Sequence, residues 1–154
     1  MIESLQEFTA SLPTLLQWVG VLLAGAIPFV ESYFGSVIGV FAGLNPVVAI
    51  VAAVVGNILS MVALVLGAST VRGKVARERE TSPRREKLRK AFDKYGVAGV
   101  SLLGQTILPS QITSTAMVSF GASKDAVIRW QIVSIILWGT AFGVLAAVGV
   151  DLVA

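Results

Sequence analysis

Residues 45–69 read NPVVAIVAAVVGNILSMVALVLGAS and contain no charged side chain. Asn45 can cap the free amides at the start of a helix, and Pro46 suits the first helical turn. About 20 apolar residues are enough for a helix to cross the hydrocarbon core of a bilayer. The stretch therefore predicts a transmembrane helix over residues 46–69.

The rest of the chain also has the composition of a membrane protein. Of its 154 residues, 55% are hydrophobic and 14% are charged, whereas about 25% of the residues of a soluble domain are charged. Charge-free runs cover residues 8–30, 32–71, 95–123 and 130–150. This composition excludes a water-soluble α/β enzyme. It predicts an all-α integral membrane protein in which residues 1–154 form a single membrane domain without enzymatic activity.

The missing residue types narrow the chemistry further. The chain contains no His and no Cys, the side chains that supply the usual general base, thiolate nucleophiles and soft-metal ligands. We therefore expect no metal site and no cofactor.

Most of the charge lies in a short linker. Residues 72–94 carry ten basic and four acidic side chains, which is 14 of the 21 charges in the chain. Cytoplasmic segments of membrane proteins are rich in Lys and Arg, so we expect this linker to be cytoplasmic and the protein to be a multi-pass protein of the inner (plasma) membrane. Anionic headgroups are a more plausible partner for such a short basic segment than nucleic acid.

Part of the linker has a helical pattern. A helix capped by Ser82 and ended by Gly96 would place Leu88, Phe92 and Tyr95 on one face. An amphipathic helix at the membrane interface and a solvated charged linker both agree with this pattern.

The first half of the chain, residues 1–71, has two shorter apolar pieces before the long span. The second piece, residues 32–44, would reach about 20 Å as a helix, well short of the ~30 Å core. We therefore predict a re-entrant helical hairpin over residues 12–44, with both ends on the outer side of the membrane because the span that follows it leads to the cytoplasmic linker. Pro28 is expected near its turn, because Pro disrupts a helix.

The second half, residues 95–154, has a similar plan. Its first apolar stretch is interrupted by LPSQITST at residues 108–115. A full crossing would place Lys124 and Arg129 outside, whereas re-entry keeps both in the cytoplasm, as the distribution of basic residues favours. We predict a re-entrant hairpin over residues 97–121 and a transmembrane helix over residues 126–150.

Matching spacings relate the two halves. Pro28 and Pro109 are 81 residues apart, and the two expected helix caps, Asn45 and Ser123, are 78 residues apart. Because the halves would begin on opposite sides of the membrane, they are predicted to be inverted repeats, each a re-entrant hairpin followed by a transmembrane helix. Secondary transporters of this architecture bind substrate at broken helices near the midplane.

Polar residues in the embedded stretches are the candidate site. Glu31 is their only carboxylate, and it is expected to exchange a proton because a buried charge is costly. An interfacial position for Glu31 and simple helix-to-helix hydrogen bonding for the other residues are the alternatives. The predicted substrate- and proton-binding residues are Pro28 and Glu31 in the first hairpin, Asn57 in the span, and Gln105, Pro109, Ser110, Gln111 and Thr113 in the second hairpin.

Small residues recur every four positions in two helices. They are Gly35, Gly39 and Gly43 in the first half and Gly139, Gly143 and Ala147 in the second. This spacing predicts faces on which helices approach each other closely.

One set of motifs resembles a known family. The segment 26–31 (AIPFVE), followed by 43–46 (GLNP) and 56–57 (GN), is similar to the small multidrug export protein family, which is related to the DedA membrane proteins. The resemblance covers about residues 18–150. It implies two re-entrant hairpins, transmembrane helices and transport of ions, drugs or lipids. DedA relatives place Arg near the second hairpin, where this chain has amides at Gln105 and Gln111.

These features predict a small proton-coupled transporter or exporter with a polar site at the midplane between the two hairpins. A DedA-like translocator of an anionic carrier or phospholipid would need no ion gradient, and a non-transporting membrane scaffold would need no site. The expected partners are membrane lipids, a small-molecule, ion or lipid substrate, and a second copy in a homodimer.

Overall fold

The protein is all-α in a computed structural model, which describes residues 1–75, 83–105 and 107–153. These residues form seven α-helices and no strand, so the prediction of an all-α protein is confirmed for them. The helices are α1 (Ile2–Ser11), α2 (Gln17–Ala26), α3 (Glu31–Phe41), α4 (Pro46–Val75), α5 (Pro83–Gly104), α6 (Ser110–Ser119) and α7 (Lys124–Val153), and a 3₁₀ turn at Thr14–Leu16 precedes α2.

Two of the described helices are long and apolar enough to cross a membrane. The qualifying segments are Pro46–Gly67 in α4 and Lys124–Leu152 in α7. They include most of the predicted span over residues 46–69 and all of the predicted span over residues 126–150.

Side chains cap the starts of both long helices. The Asn45 side-chain oxygen accepts a hydrogen bond from the backbone N–H of Val47 at 2.9 Å. At the start of α7, the Ser123 hydroxyl oxygen accepts a longer bond of 3.4 Å from the backbone N–H of Ala126. Each bond satisfies an amide that has no partner within its helix. The two predicted caps are therefore confirmed.

Each long helix follows two short helical segments joined by a turn. Before α4, residues 27–30 join α2 to α3, and Pro28 lies in this turn. Before α7, residues 105–109 separate α5 from α6. The second break thus comes earlier than predicted, because residues 110–115 are already helical. Pro109 immediately precedes α6, where its missing N–H costs no helical bond.

α5 is divided at Gly96. The backbone there has φ of 67° and ψ of −171°, a conformation that glycine adopts without the steric penalty of a side chain. The helix therefore consists of residues 83–95 and residues 97–104, and the first part ends where the sequence predicted. The predicted cap Ser82 and residues 76–82 of the linker lie outside the described residues.

The described chain forms two compact units. The first unit comprises residues 1–60 and 135–154, and the second comprises residues 61–134. The boundaries between them fall inside α4 and α7.

Small residues bring the helices of the first unit into backbone contact. A Cβ on Gly25 of α2 would overlap the carbonyl oxygen of Ala53 in α4, and a Cβ on Gly56 of α4 would overlap the carbonyl oxygen of Leu22 in α2. A Cβ on Gly39 of α3 would lie 2.6 Å from the Cβ of Ala49. Only glycine leaves room for such close approach.

The prediction of small packing faces is confirmed at most of these positions. A Cβ on Gly35 would lie 3.0 Å from the Cβ of Ala53, and one on Gly139 would lie 2.9 Å from the Cβ of Ser32. Gly143 packs in the same way on Ile50. Gly43 does not belong to this face, because a Cβ there would meet nothing within 4 Å and its φ is +88°. It instead provides the left-handed residue that follows α3.

Candidate functional site

A strained turn places Glu31 inside the first unit. Glu31 is the first residue of α3, and its side chain is fully buried, with 0% exposure. Its backbone N–H donates a hydrogen bond to the carbonyl oxygen of Ile27 at 3.0 Å, which closes the turn around Pro28. Phe29 has φ of 74° and Glu31 has φ of 54°. Residues other than glycine adopt this left-handed conformation only where the surrounding structure fixes it. Such residues are often found at functional sites.

Serine hydroxyls follow the carboxylate on α3. The Ser32 hydroxyl donates a hydrogen bond to the carbonyl oxygen of Ile135 at 2.9 Å. The Ser36 hydroxyl donates to the carbonyl oxygen of Tyr33, also at 2.9 Å. Both serines are fully buried, and the bond from Ser32 fastens the beginning of α3 to α7. The backbone that holds Glu31 is therefore anchored on both sides of the residue.

Aromatic rings form a cluster around Phe142 in the first unit. Tyr33, whose phenol interacts electrostatically with Glu31, lies 5.6 Å from Phe142 between ring centroids. Trp138 lies 6.0 Å from the same ring, and Phe34 lies 6.4 Å from it in an edge-on arrangement. The first unit thus holds an aromatic cluster that includes Tyr33, two residues after Glu31.

The other predicted residues of the first unit differ in burial. Asn57 is fully buried in α4, and its backbone carbonyl oxygen accepts a hydrogen bond from the Ser60 hydroxyl at 3.1 Å. Pro28 is exposed at the turn. Pro28 therefore shapes the turn and does not line a buried site.

The second unit contains a buried polar cluster of its own. Ser, Thr and Gln side chains are mostly exposed in proteins, yet the side chains of this cluster are all at least nine-tenths buried. They are Ser101, Gln105, Ser110, Gln111, Thr113, Ser114, Gln131 and Ser134. Four of these eight residues were predicted as site residues. Pro109, the remaining predicted residue of the second hairpin, is also buried and directly precedes Ser110 in the chain.

Two hydrogen bonds join α7 to the end of α5 in this cluster. The Ser134 hydroxyl donates to the carbonyl oxygen of Ser101 at 2.7 Å. The Gln105 amide nitrogen donates to the side-chain oxygen of Gln131 at 3.4 Å. The four residues pair in opposite chain order, so the two helices run antiparallel along a polar seam formed by Ser101, Gln105, Gln131 and Ser134.

Several polar atoms of the cluster have hydrogen-bonding capacity left over. Among the described residues, the side-chain oxygen of Gln105, the side-chain nitrogen of Gln131, and the hydroxyls of Ser101 and Ser114 make no hydrogen bond. Leaving a buried polar group unsatisfied costs about 1–3 kcal/mol. The cluster therefore combines acceptors and donors that a polar solute could engage.

Ser101, Gln131 and Ser134 were not predicted as site residues. Their signal in the sequence is spacing: Ser101 and Gln105 are four positions apart, and Gln131 and Ser134 are three apart, in helices that are otherwise apolar. Such spacings place both polar side chains on one helix face. The sequence does not tell which faces of α5 and α7 contact each other; that information comes from the fold.

The described residues offer no group of three or more His, Cys, Asp or Glu side chains that could hold a metal ion. A comparison of the chain with protein families, with curated proteins and with solved structures finds no match. The resemblance to the small multidrug export and DedA proteins therefore stays a prediction from the motifs.

Proposed function

We propose that the protein is a small multi-pass transporter of the inner (plasma) membrane that exchanges a proton at Glu31 as it moves a small solute. The observation that carries the proposal is the fully buried carboxylate at a strained turn. An ionisable side chain inside a membrane protein is expensive, and such residues commonly mark proton and substrate pathways.

The outward surfaces of the long helices support a membrane location. Only 33% of the apolar window in α4 and 28% of that in α7 is buried within the protein. The central helix of a soluble protein would bury most of such a window. Large apolar side chains such as Leu59 and Leu145 are instead 60% and 67% exposed, which suits contact with lipid chains.

The lengths of the helices support re-entry of the first hairpin. The 22-residue segment Pro46–Gly67 of α4 reaches about 33 Å, whereas α2 with 10 residues and α3 with 11 residues reach only about 15 and 17 Å. The hydrocarbon core is about 30 Å thick. α2 and α3 would therefore enter the membrane and return to the surface from which they came, with the turn before Glu31 inside it.

The second hairpin follows the same argument. Residues 97–104 would reach about 12 Å and α6, with 10 residues, about 15 Å. Irregular backbone is tolerated at membrane depth where it is buried in protein or lines a polar cavity. The leftover hydrogen-bonding capacity of the second-unit cluster is of the kind that a transported solute needs in place of water. The inverted relation of the halves and a shared midplane site stay predictions.

The proposed chemistry is a competition at one carboxyl group. Protonated Glu31 is neutral and is tolerated in an apolar surrounding, whereas ionised Glu31 requires a compensating group. A solute that provides this compensation would release the proton, and proton uptake would release the solute. The anchored, strained turn would hold the carboxyl group in place during this exchange.

A pH-step measurement tests the proposal. Proteoliposomes adsorbed on a solid-supported membrane should give a transient displacement current when the external pH is stepped, because protons bind within the membrane. The current should disappear in Glu31→Gln. It should persist in Glu7→Gln, which removes an exposed carboxylate from the same unit. Equal currents in wild type and Glu31→Gln, or none in wild type, would overturn the proposal.

A further inference from the structure

The first part of α5, residues 83–95, is a basic helix. It carries six cationic side chains against two acidic ones, Glu86 and Asp93, and therefore a formal charge of +4. The cationic residues are Arg84, Arg85, Lys87, Arg89, Lys90 and Lys94, of which all but Arg85 are exposed.

The apolar side of the basic helix packs on the end of α6. Leu88 is 9% exposed, and the ring of Phe92 lies 5.9 Å from the ring of Phe120, the residue that follows α6. Residues 83–95 thus form an amphipathic helix whose apolar side packs within the second unit. Tyr95, which the sequence assigned to the same face, is 54% exposed instead.

Two arginines of this helix meet at one aromatic ring. The guanidinium carbons of Arg85 and Arg89 lie 5.4 Å and 5.6 Å from the centroid of Phe120. An Arg85 guanidinium nitrogen also donates a hydrogen bond to the Ser119 hydroxyl at 2.9 Å. The ring attracts both cations, and the carbonyl end of the α6 dipole does so too. Two like charges therefore lie within about 6 Å of the centre of the same ring.

Such a pair is suited to a phosphate group. Guanidinium groups present N–H donors in a planar arrangement that matches phosphate oxygens, and charge-assisted bonds of this type are among the strongest in proteins. The acidic residue Glu86 forms an ion pair with Lys90 at 3.0 Å. Its negative charge, which would repel a phosphate, is therefore partly neutralised within the helix.

The position of the pair in the second unit indicates where the phosphate comes from. Lys124 and Arg129 are exposed at the start of α7, only a few residues after Phe120, and Trp130 directly after them is 41% exposed. Basic residues followed by Trp are typical of the headgroup level of a membrane, immediately outside a transmembrane helix.

We propose that Arg85 and Arg89, held by Phe120 and Ser119, bind the phosphate of an anionic phospholipid at the membrane surface. We name these four residues the phosphate clamp. The inference rests on the membrane location in the proposed function, but it does not depend on proton exchange at Glu31.

Lipid selectivity of the reconstituted full-length chain tests the clamp. Electron paramagnetic resonance of spin-labelled lipids should show motionally restricted lipid, with phosphatidylglycerol preferred over phosphatidylcholine. Arg85→Gln/Arg89→Gln should lower this preference by more than about fivefold for each charge removed, because it removes direct phosphate contacts as well as the general attraction of a basic residue to an anionic membrane surface. Arg84→Gln/Lys87→Gln removes the same charge from exposed positions of the helix and should lower it clearly less.

The outcomes separate the two proposals. Absence of any restricted lipid would overturn the membrane location and the proposed function with it. Restricted lipid without a preference, or equal losses in the two double variants, would overturn the clamp alone. Glycerol phosphate competing with the lipid at equal concentration would also overturn it, since the site would then bind soluble phosphate. Retention of the preference in Glu31→Gln, with the clamp variants defective, would support it.

Discussion

Replacing Gly56 by Ala tests whether α2 and α4 are held at backbone contact. A Cβ at this position would overlap the carbonyl oxygen of Leu22 and lie 3.2 Å from its Cα. Because the obstacle is backbone, no change of side-chain rotamer can relieve it, and the two helices must separate. The loss of close packing on α2 would then extend along the contact to Gly25 and Ala53.

The size of the effect follows from two opposing contributions. Overpacking a close-packed interior costs about 1–3 kcal/mol, and a backbone obstacle places Gly56→Ala at the upper end of that range. Ala is favoured over Gly in a helix by about 0.8–1.0 kcal/mol, which offsets part of the cost. We therefore expect the free energy of unfolding to fall by about 2 kcal/mol.

A matched control lies in the same helix. A Cβ on Gly67 would meet nothing within 4 Å, so Gly67→Ala should keep or raise the stability by up to about 1 kcal/mol. Unfolding of both variants can be followed by circular dichroism during titration of detergent micelles with sodium dodecyl sulfate. If Gly56→Ala is as stable as Gly67→Ala, the close contact of α2 with α4 is refuted.

Three further substitutions test other parts of the structure by the same unfolding titration. Gln105→Leu leaves the buried Gln131 amide without its partner and should lower the free energy of unfolding by about 1–3 kcal/mol. The double variant Gln105→Leu/Gln131→Leu should lose less than the sum of the two single variants, and additive losses would contradict the polar seam. Gly139→Ala should destabilise by about 1–3 kcal/mol because its Cβ would lie 2.8 Å from a methyl group of Val54, while Gly149→Ala, with nothing within 4 Å, should not. Asn45→Ala should lower the free energy of unfolding by about 0.5–2 kcal/mol, and Asn45→Ser should keep most of the wild-type stability. Equal stability of both variants would show that the cap contributes nothing.

Local signals predicted the long helices well. Asn45, Pro46 and the apolar run after them act within one helix, so the start of α4 could be read without its neighbours. The same holds for the break at Gly96, where one residue takes a left-handed backbone conformation. Both features depend only on the preferences of a few adjacent residues.

Features that depend on tertiary contacts were predicted less well. Residues 110–115 were read as a break because they are polar, but hydroxyl and amide side chains fit a helix when another helix buries them, as happens to Ser110 and Thr113. Gln131 and Ser134 belong to the polar seam because they hydrogen-bond to Gln105 and Ser101 on another helix. No local pattern identifies such a partner.

The position of the turn before Glu31 tests the account most directly. The chain has no native cysteine, so single cysteines at Ser11, Phe29 and Phe41 can be labelled with a membrane-impermeant maleimide from either side of the membrane. All three residues are exposed on the protein surface. We predict that Ser11→Cys and Phe41→Cys react from the outer side and that Phe29→Cys reacts from neither. Labelling of Phe29→Cys from the cytoplasmic side would show that the hairpin crosses the bilayer, and would contradict the account.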